Sequence, residues 1–323
     1  MAMPLSLLEQ IREACKEVAD RASYVHIDRS RIKYYAASLP LEECRSPQID
    51  PRYHYLGNPE DTVAYILALD AINFGSGYFP HLIKRPNLSG YFTIASSLKD
   101  LFEAQGAFTA DDLSLLTAED SAAVFGQDLD GGPRSELMGL FASALNDLAC
   151  YLLERFDGRF VALVEAAGHS AERLVQILSE MPYFKDVQSY KGLEVPFYKR
   201  AQITAADLWM AFDGQGYGLF YDLDRLTIFA DNLVPHVLRT DGILHYEDSL
   251  VSRIDREELI PAGSPEEVEI RASALHTVEL LVEELRKMGH DATSMKLDYL
   301  LWNRGQSPHY KAHPRHRTRT VFY

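Results

Sequence analysis

Cysteine is scarce, with only Cys15, Cys44 and Cys150 in a chain of 323 residues. Odd in number and widely spaced, they outline neither a disulfide framework nor a thiolate metal site, and they suit a reducing cytosol. Positive charge is also in short supply. Thirty-two Lys and Arg face forty-seven Asp and Glu, a net −15, so the average surface repels polyanions and polymeric nucleic acid is a poor main ligand. No uninterrupted apolar run approaches the roughly 18 residues of a bilayer span, and the N-terminal stretch reads as a helix rather than a signal peptide. The expectation is a soluble cytoplasmic protein without a membrane partner. Walker loops, HExxH, CxxC and GxSxG elbows are missing as well, which removes the common nucleotide, zinc and serine-hydrolase signatures.

Helix punctuation is abundant. Ser264-Pro265-Glu266-Glu267 sets a capping serine before proline, with a carboxylate three residues on. Val268, Ala272, Leu275, Val278, Val282 and Leu285 then repeat at three- and four-residue steps up to Gly289. A second long helix is expected from Arg134 to Phe156, stopping at Asp157-Gly158. Shorter ones are signalled at Pro4 to Ala22, Pro59 to Asn73, Ser97 to Gln105, Thr109 to Leu116, Thr117 to Phe125, Ser170 to Met181, Lys199 to Phe212 and Ser294 to Asn303. Hairpins are expected at Leu82 to Thr93, around Pro86-Asn87, and at Val187 to Tyr198, around Lys191-Gly192. The fold class is mainly α, a compact helical protein with small β-hairpins. Residues 1–323 form one domain or two closely packed helical lobes, since no linker separates independent units.

Candidate chemistry is concentrated in a few places. Asp231 follows the apolar run Leu226-Thr-Ile-Phe-Ala and precedes Leu233-Val234, so it is either a partly buried carboxylate with a chemical task or the N-cap of a helix. Asp298, in Lys296-Leu-Asp-Tyr-Leu-Leu-Trp302, sits among large apolar groups. With Phe229, Tyr299 and Trp302, these two carboxylates suit either a pocket for a flat, hydrogen-bonding heterocycle or a core with two satisfied acids. Lys199-Arg200 opens a helix and offers an anion seat or plain surface charge. From Arg304 to Tyr323 there is no acid; removing these five cations from −15 leaves −20 for residues 1–303. Ending in Val321-Phe322-Tyr323, this tail is expected to pack, and its Arg side chains could hold a phosphate or serve structure. Gly214, Gly216 and Gly218 are misplaced for a dinucleotide loop and suit a surface turn. His313 and His316 lack acidic or thiolate partners for a metal.

Seven segments together resemble the queuosine salvage protein family, the queuosine 5'-phosphate N-glycosylase/hydrolases. They are Asp70-Ala-Ile-Asn73-Phe74, Ser89-Gly90-Tyr91, Phe197-Tyr-Lys-Arg-Ala-Gln202, Phe229-Ala-Asp231, Glu267-Val-Glu269-Ile-Arg271, Leu297-Asp-Tyr-Leu-Leu-Trp302 and His316-Arg-Thr-Arg319. The resemblance implies a fold similar to helical DNA glycosylases and hydrolysis of the bond between ribose and the 7-deazaguanine base queuine, which returns to tRNA. It implies Asp231 as the catalytic carboxylate, nucleophile or transition-state stabiliser. It further implies that His54, Phe229, Asp298, Tyr299 and Asn303 line the base or nucleotide pocket, with Asn73, Tyr91 and Trp302 counted beside them. Family members can carry aspartate where this chain has Asn303.

The chemistry fits those residue types. A carboxylate beside the anomeric carbon stabilises the oxocarbenium charge that develops as an N-glycosidic bond breaks. Queuine's secondary ammonium calls for a buried acid such as Asp298. Lys199, Arg200, Arg317 and Arg319 are the expected phosphate-binding set. His54, between two tyrosines, either orients phosphate or ribose or is structural. No metal or organic cofactor is required, and a monomer acting on a small nucleotide is expected. Two other functions fit the residues: a broader purine or 7-deazapurine nucleosidase, and a non-catalytic helical protein that binds modified tRNA through the basic tail.

Overall fold

In the computed structural model, which describes residues 5–44 and 49–323, the chain is mainly helical. Two two-stranded sheets occur among the described residues. The side chain of Cys44 lies outside them, as does Pro4. Cys15 is a buried free thiol and Cys150 an exposed one.

The helix Pro265–Lys287 runs through one half of the molecule. Its apolar stripe is buried, and so are Glu267, Glu269 and Arg271, because each finds a partner. Ser264 accepts from Glu267 N as expected, while the Glu267 carboxylate turns to Gly263 N at 3.1 Å. Glu269 accepts from Ser23, Tyr24 and Val25 amides and from the Tyr190 hydroxyl, joining the first strand to the hairpin. The Leu7–Asp20, Ile32–Ser38, Leu233–Thr240 and Ser294–Gly305 helices pack on this axis.

In the other half, Pro133–Arg155 carries the short Ala110–Ser114 and Ala118–Phe125 helices. Pro59–Ala71 joins the halves by packing on Pro133–Arg155, Gly90–Gln105 and Lys199–Ala211. From Thr62 onward this helix is buried on every side, the pattern of a core helix rather than an amphipathic one.

Val187–Tyr190 and Leu193–Pro196 form the expected hairpin, with Lys191 and Gly192 both at positive φ, 47° and 81°, as a two-residue primed turn requires. The hairpin expected at Leu82 to Thr93 is absent. That segment is a loop followed by the helix Gly90–Gln105, which starts seven residues earlier than anticipated because Ser89 caps it by accepting from Phe92 N. Pro86 and Asn87 mark the turn, but no partner strand lies alongside. The second sheet pairs Val25–Ile27 with Leu244–Tyr246.

The basic tail folds back over the molecule. Ile260 N donates to Arg317 O at 2.8 Å and Gly75 N to Tyr323 O at 3.0 Å. Tyr323 is buried, with the Arg271 guanidinium 4.8 Å from its ring centre. Gly77 lies against the same strand of tail: a Cβ there would sit 2.2 Å from Thr318 O.

Candidate active site

Between the two halves and the tail lies a cavity of about 1000 Å³. Seven stretches of chain line it. The loop at His54, the end of the Pro59–Ala71 helix at Asn73 and the first turn of Gly90–Gln105 at Tyr91 form one side. Lys199–Ala211 adds Lys199 and Asp207. Ser294–Gly305 contributes Asp298, Tyr299, Trp302 and Asn303, two adjacent i, i+4 pairs that put acid and aromatic groups on one face. The segment Phe229 to Asp231 and the tail close the remainder.

Asp231 binds helix amides and also faces the cavity. Its Oδ1 accepts from Leu233 N at 2.7 Å and Val234 N at 3.3 Å, capping the Leu233–Thr240 helix, while the residue lines the cavity. The carboxylate is thereby held in one orientation by helix N-terminal amides, which favour its negative charge.

Asp298 is buried, and its Oδ1 accepts from Phe229 N at 2.9 Å. Burial and then the nearby Asp231 charge push its pKa well above the usual carboxylate range. Asp207 is raised in the same way, by burial and then by Asp70, and accepts from the Tyr299 hydroxyl at 3.2 Å. Asp70, just behind the wall, is raised to about 7 by burial, against the pull of the amide of Asn73 and of Lys199. Two carboxylic acids whose neutral forms are favoured by burial thus lie beside the Asp231 cap. The aromatic walls meet edge to face: Phe229 with Tyr299 at 5.9 Å and Tyr91 with Trp302 at 6.2 Å between ring centres.

His54 is buried, and burial lowers its pKa. The neutral ring fits its neighbours: Nδ1 donates to Asp50 O at 3.0 Å and Nε2 accepts from the Tyr91 hydroxyl at 2.9 Å. Its ring therefore fixes Tyr91 at the cavity wall.

The expected cation set divides. Lys199 reaches the cavity, with Nζ donating to Asn73 O and Oδ1 at 3.1 and 3.3 Å; burial lowers its pKa, opposed by Asp231 and Asp70. Arg317 lines the cavity while Nη2 donates to Glu257 O at 2.7 Å. Arg200 does not reach it. Adjacent to Lys199 in sequence, it points about 100° around the helix, into the core. There its guanidinium donates to the carbonyls of Asp70, Ala71 and Tyr183 and lies between the Phe74 and Phe184 rings. Arg200 thus ties down the last carbonyls of the Pro59–Ala71 helix. The N-terminus of Lys199–Ala211 is no anion seat either, because Asp186 already accepts from Lys199 N at 3.3 Å and is fork-bonded to Arg271 at 3.0 and 2.5 Å. Arg319 also lies outside the cavity lining, 5.3 Å from the Tyr78 ring centre and 3.9 Å from Glu136.

Asp207 lines the cavity without having been singled out in the sequence, and Arg315 and Tyr323, read there only as parts of a basic, packing tail, line it as well. Asp207 carried the same signal as Asp298, a lone acid amid Ala, Leu, Trp and Met on a helix. No group of three or more His, Cys, Asp or Glu able to hold a metal occurs among the described residues.

Helices enclosing an aromatic chamber set with buried acids define a pocket-bearing α protein, suited to a small polar ring compound. The profile of the queuosine salvage protein family matches residues 53–323. Among curated relatives, a protein named queuosine 5'-phosphate N-glycosylase/hydrolase from Sphaerobacter thermophilus is 40% identical over 313 residues, 95% of this chain and 96% of its own length. Proteins of the same name from Dictyostelium discoideum and Bos taurus are 36% identical (82% of this chain, 79% of theirs) and 30% identical (97% and 98%). The chain belongs to the queuosine salvage protein family.

Proposed function

We propose that this protein hydrolyses the N-glycosidic bond of queuosine 5'-phosphate, releasing queuine and ribose 5-phosphate. The observation that carries this reading is Asp231, a carboxylate oriented by two helix amides at the wall of a chamber where Asp207 and Asp298 are buried and aromatic-flanked. The names of the relatives support the same chemistry.

In the proposed reaction the bond from the anomeric carbon to the base nitrogen breaks, and the base nitrogen takes the electron pair. Water supplies hydroxyl to the anomeric carbon, and its proton leaves with the base. Positive charge on the ribose in the transition state is met by Asp231, whose fixed orientation needs no reorganisation at that moment. Carbon at position 7 of the ring rules out protonation there, so assistance comes from contacts at other ring atoms. Asp298 and Asp207, whose neutral forms are favoured by burial, are hydrogen-bond donors for them when protonated. A ligand ammonium reaching Asp298 would favour its ionised form and expel that proton. Phe229, Tyr299, Tyr91 and Trp302 supply the stacking walls, and Asn73 and Asn303 supply amides. The protein acts as a cytoplasmic monomer on a small nucleotide.

The test is release of queuine from queuosine 5'-phosphate, with queuosine and guanosine 5'-phosphate alongside, by wild type and Asp231→Asn in chelator-containing buffer. The asparagine Oδ1 still accepts from Leu233 and Val234 amides, so the fold is retained while activity falls by about 100-fold or more. Equal release from guanosine 5'-phosphate would move the substrate class to purine nucleotides in general; no release by wild type would sink the reading.

A further inference from the structure

Among the cavity's lysines and arginines Lys84 and Lys311 are exposed, and of those withdrawn from solvent one is uncommitted. Lys199 is tied to Asn73, Arg317 to Glu257. Arg315 lines the cavity and makes no hydrogen bond, ion pair or ring contact with a described residue. Its backbone is nonetheless pinned from both sides. Pro314 O accepts from Arg239 at 3.4 Å, His316 O accepts from the Asn232 amide at 3.4 Å, and Arg317 O accepts from Ile260 N at 2.8 Å.

The Asn232 link matters most, because Asn232 directly follows Asp231. It sets Arg315 beside the catalytic carboxylate, close enough for the two charges to interact. Burial disfavours the guanidinium charge there and the Asp231 charge offsets that only in part, so a cation is kept in a partly desolvated place with no hydrogen-bond partner from the protein. A ligand anion resolves that imbalance.

We propose that Arg315 is the anchor for the substrate's phosphate monoester, holding the dianion by its two-pronged guanidinium while the same nucleotide's anomeric carbon faces Asp231. The proposal rests on the nucleotide reading above. Ribose 5-phosphate carries phosphate and anomeric carbon on one small ring, so an anchor beside Asp231 matches the substrate's own reach. A planar fork suits phosphate oxygens better than an ammonium does. Because the anchor's backbone is already fixed, little ordering is left to do on binding. A seat for the dianion also explains how a protein of net −15 with an acid-lined chamber accepts a doubly charged substrate.

The experiment compares kcat/KM for queuosine 5'-phosphate and for queuosine in wild type, Arg315→Ala and Arg315→Lys, and measures ribose 5-phosphate binding to each full chain by calorimetry. Loss of a charge-assisted contact lowers the monophosphate-to-nucleoside ratio by about 100-fold in Arg315→Ala. Arg315→Lys recovers part of that ratio, and added guanidinium ion recovers part of it in Arg315→Ala. Ribose 5-phosphate affinity falls in parallel. If Arg315 instead served only to support Asp231, both substrates would slow equally and the ratio would hold, which overturns the proposal, as does unchanged ribose 5-phosphate affinity. Should wild type release no queuine, the activity fails, while ribose 5-phosphate binding that depends on Arg315 still upholds the anion seat.

Discussion

Acidification should loosen the tail through His316. This histidine is 1% exposed and has its ring 6.4 Å from that of Tyr323. Burial, then the charge of Arg315, pushes its pKa down from the ordinary histidine value to about 3. The folded state thus refuses a proton that the unfolded chain accepts. The resulting penalty is absent above pH 6.5, grows as pH falls below it, and is complete only below about 3. Between pH 7 and pH 5 the loss comes to about 2 kcal/mol for this one group. A chain of 323 residues unfolds with an entropy of roughly 0.7 kcal/mol/K, so the corresponding shift in Tm is about 3 °C. His54, His236 and His276 are also lowered by burial and add to the raw slope, so the comparison must be differential. Thermal melts of wild type and His316→Leu at pH 7 and pH 5 should differ in slope by that amount, with the variant less acid-sensitive whatever its absolute stability. Parallel slopes would refute the argument.

Asp70 should work in the opposite direction. Its raised pKa gives a contribution that is intact at low pH and is lost as pH rises from about 4 to about 7, so Asp70→Asn should gain on the order of 2 kcal/mol relative to wild type between pH 5 and pH 8, read from the same melts. Gly77→Ala places a methyl group against the Thr318 carbonyl and forces the tail to shift. A loss of about 1–3 kcal/mol is expected, seen as a lower Tm together with weaker release of queuine; an unchanged melt would mean that the tail yields freely.

Local signals in the sequence marked most helices well because caps are local: Ser264 and Thr293 each act within three residues, whereas the Ser89 cap was hidden by the turn signal of Pro86-Asn87. The missed pairing of Val25–Ile27 with Leu244–Tyr246 spans over two hundred residues and involves three on each side, too little alternation to register. Asp231 and Asp298 stood out as acids among apolar neighbours, and the chamber brings both together. Arg200 was misplaced for a geometric reason: one residue along a helix is a turn of about 100°, enough to send Lys199 to the chamber and Arg200 to the carbonyls behind it. Arg315 stood out only as one of the tail's arginines, because its place beside Asp231 without a hydrogen-bond partner is a property no linear pattern displays.

The bond from Gly75 N to Tyr323 O closes a loop of about three-quarters of the chain. Residues such as His54, Asn73 and Tyr91 emerge early in synthesis and then wait for Arg315, Arg317 and Tyr323 before the chamber has its last wall. Helices can form while the chain is still growing, but the site itself can assemble only once the segment from Arg315 to Tyr323 has emerged, and that long-range step is the slow one. A nascent chain stalled before residue 315 would present the acid-lined aromatic face open to its surroundings, a surface for chaperones rather than for substrate.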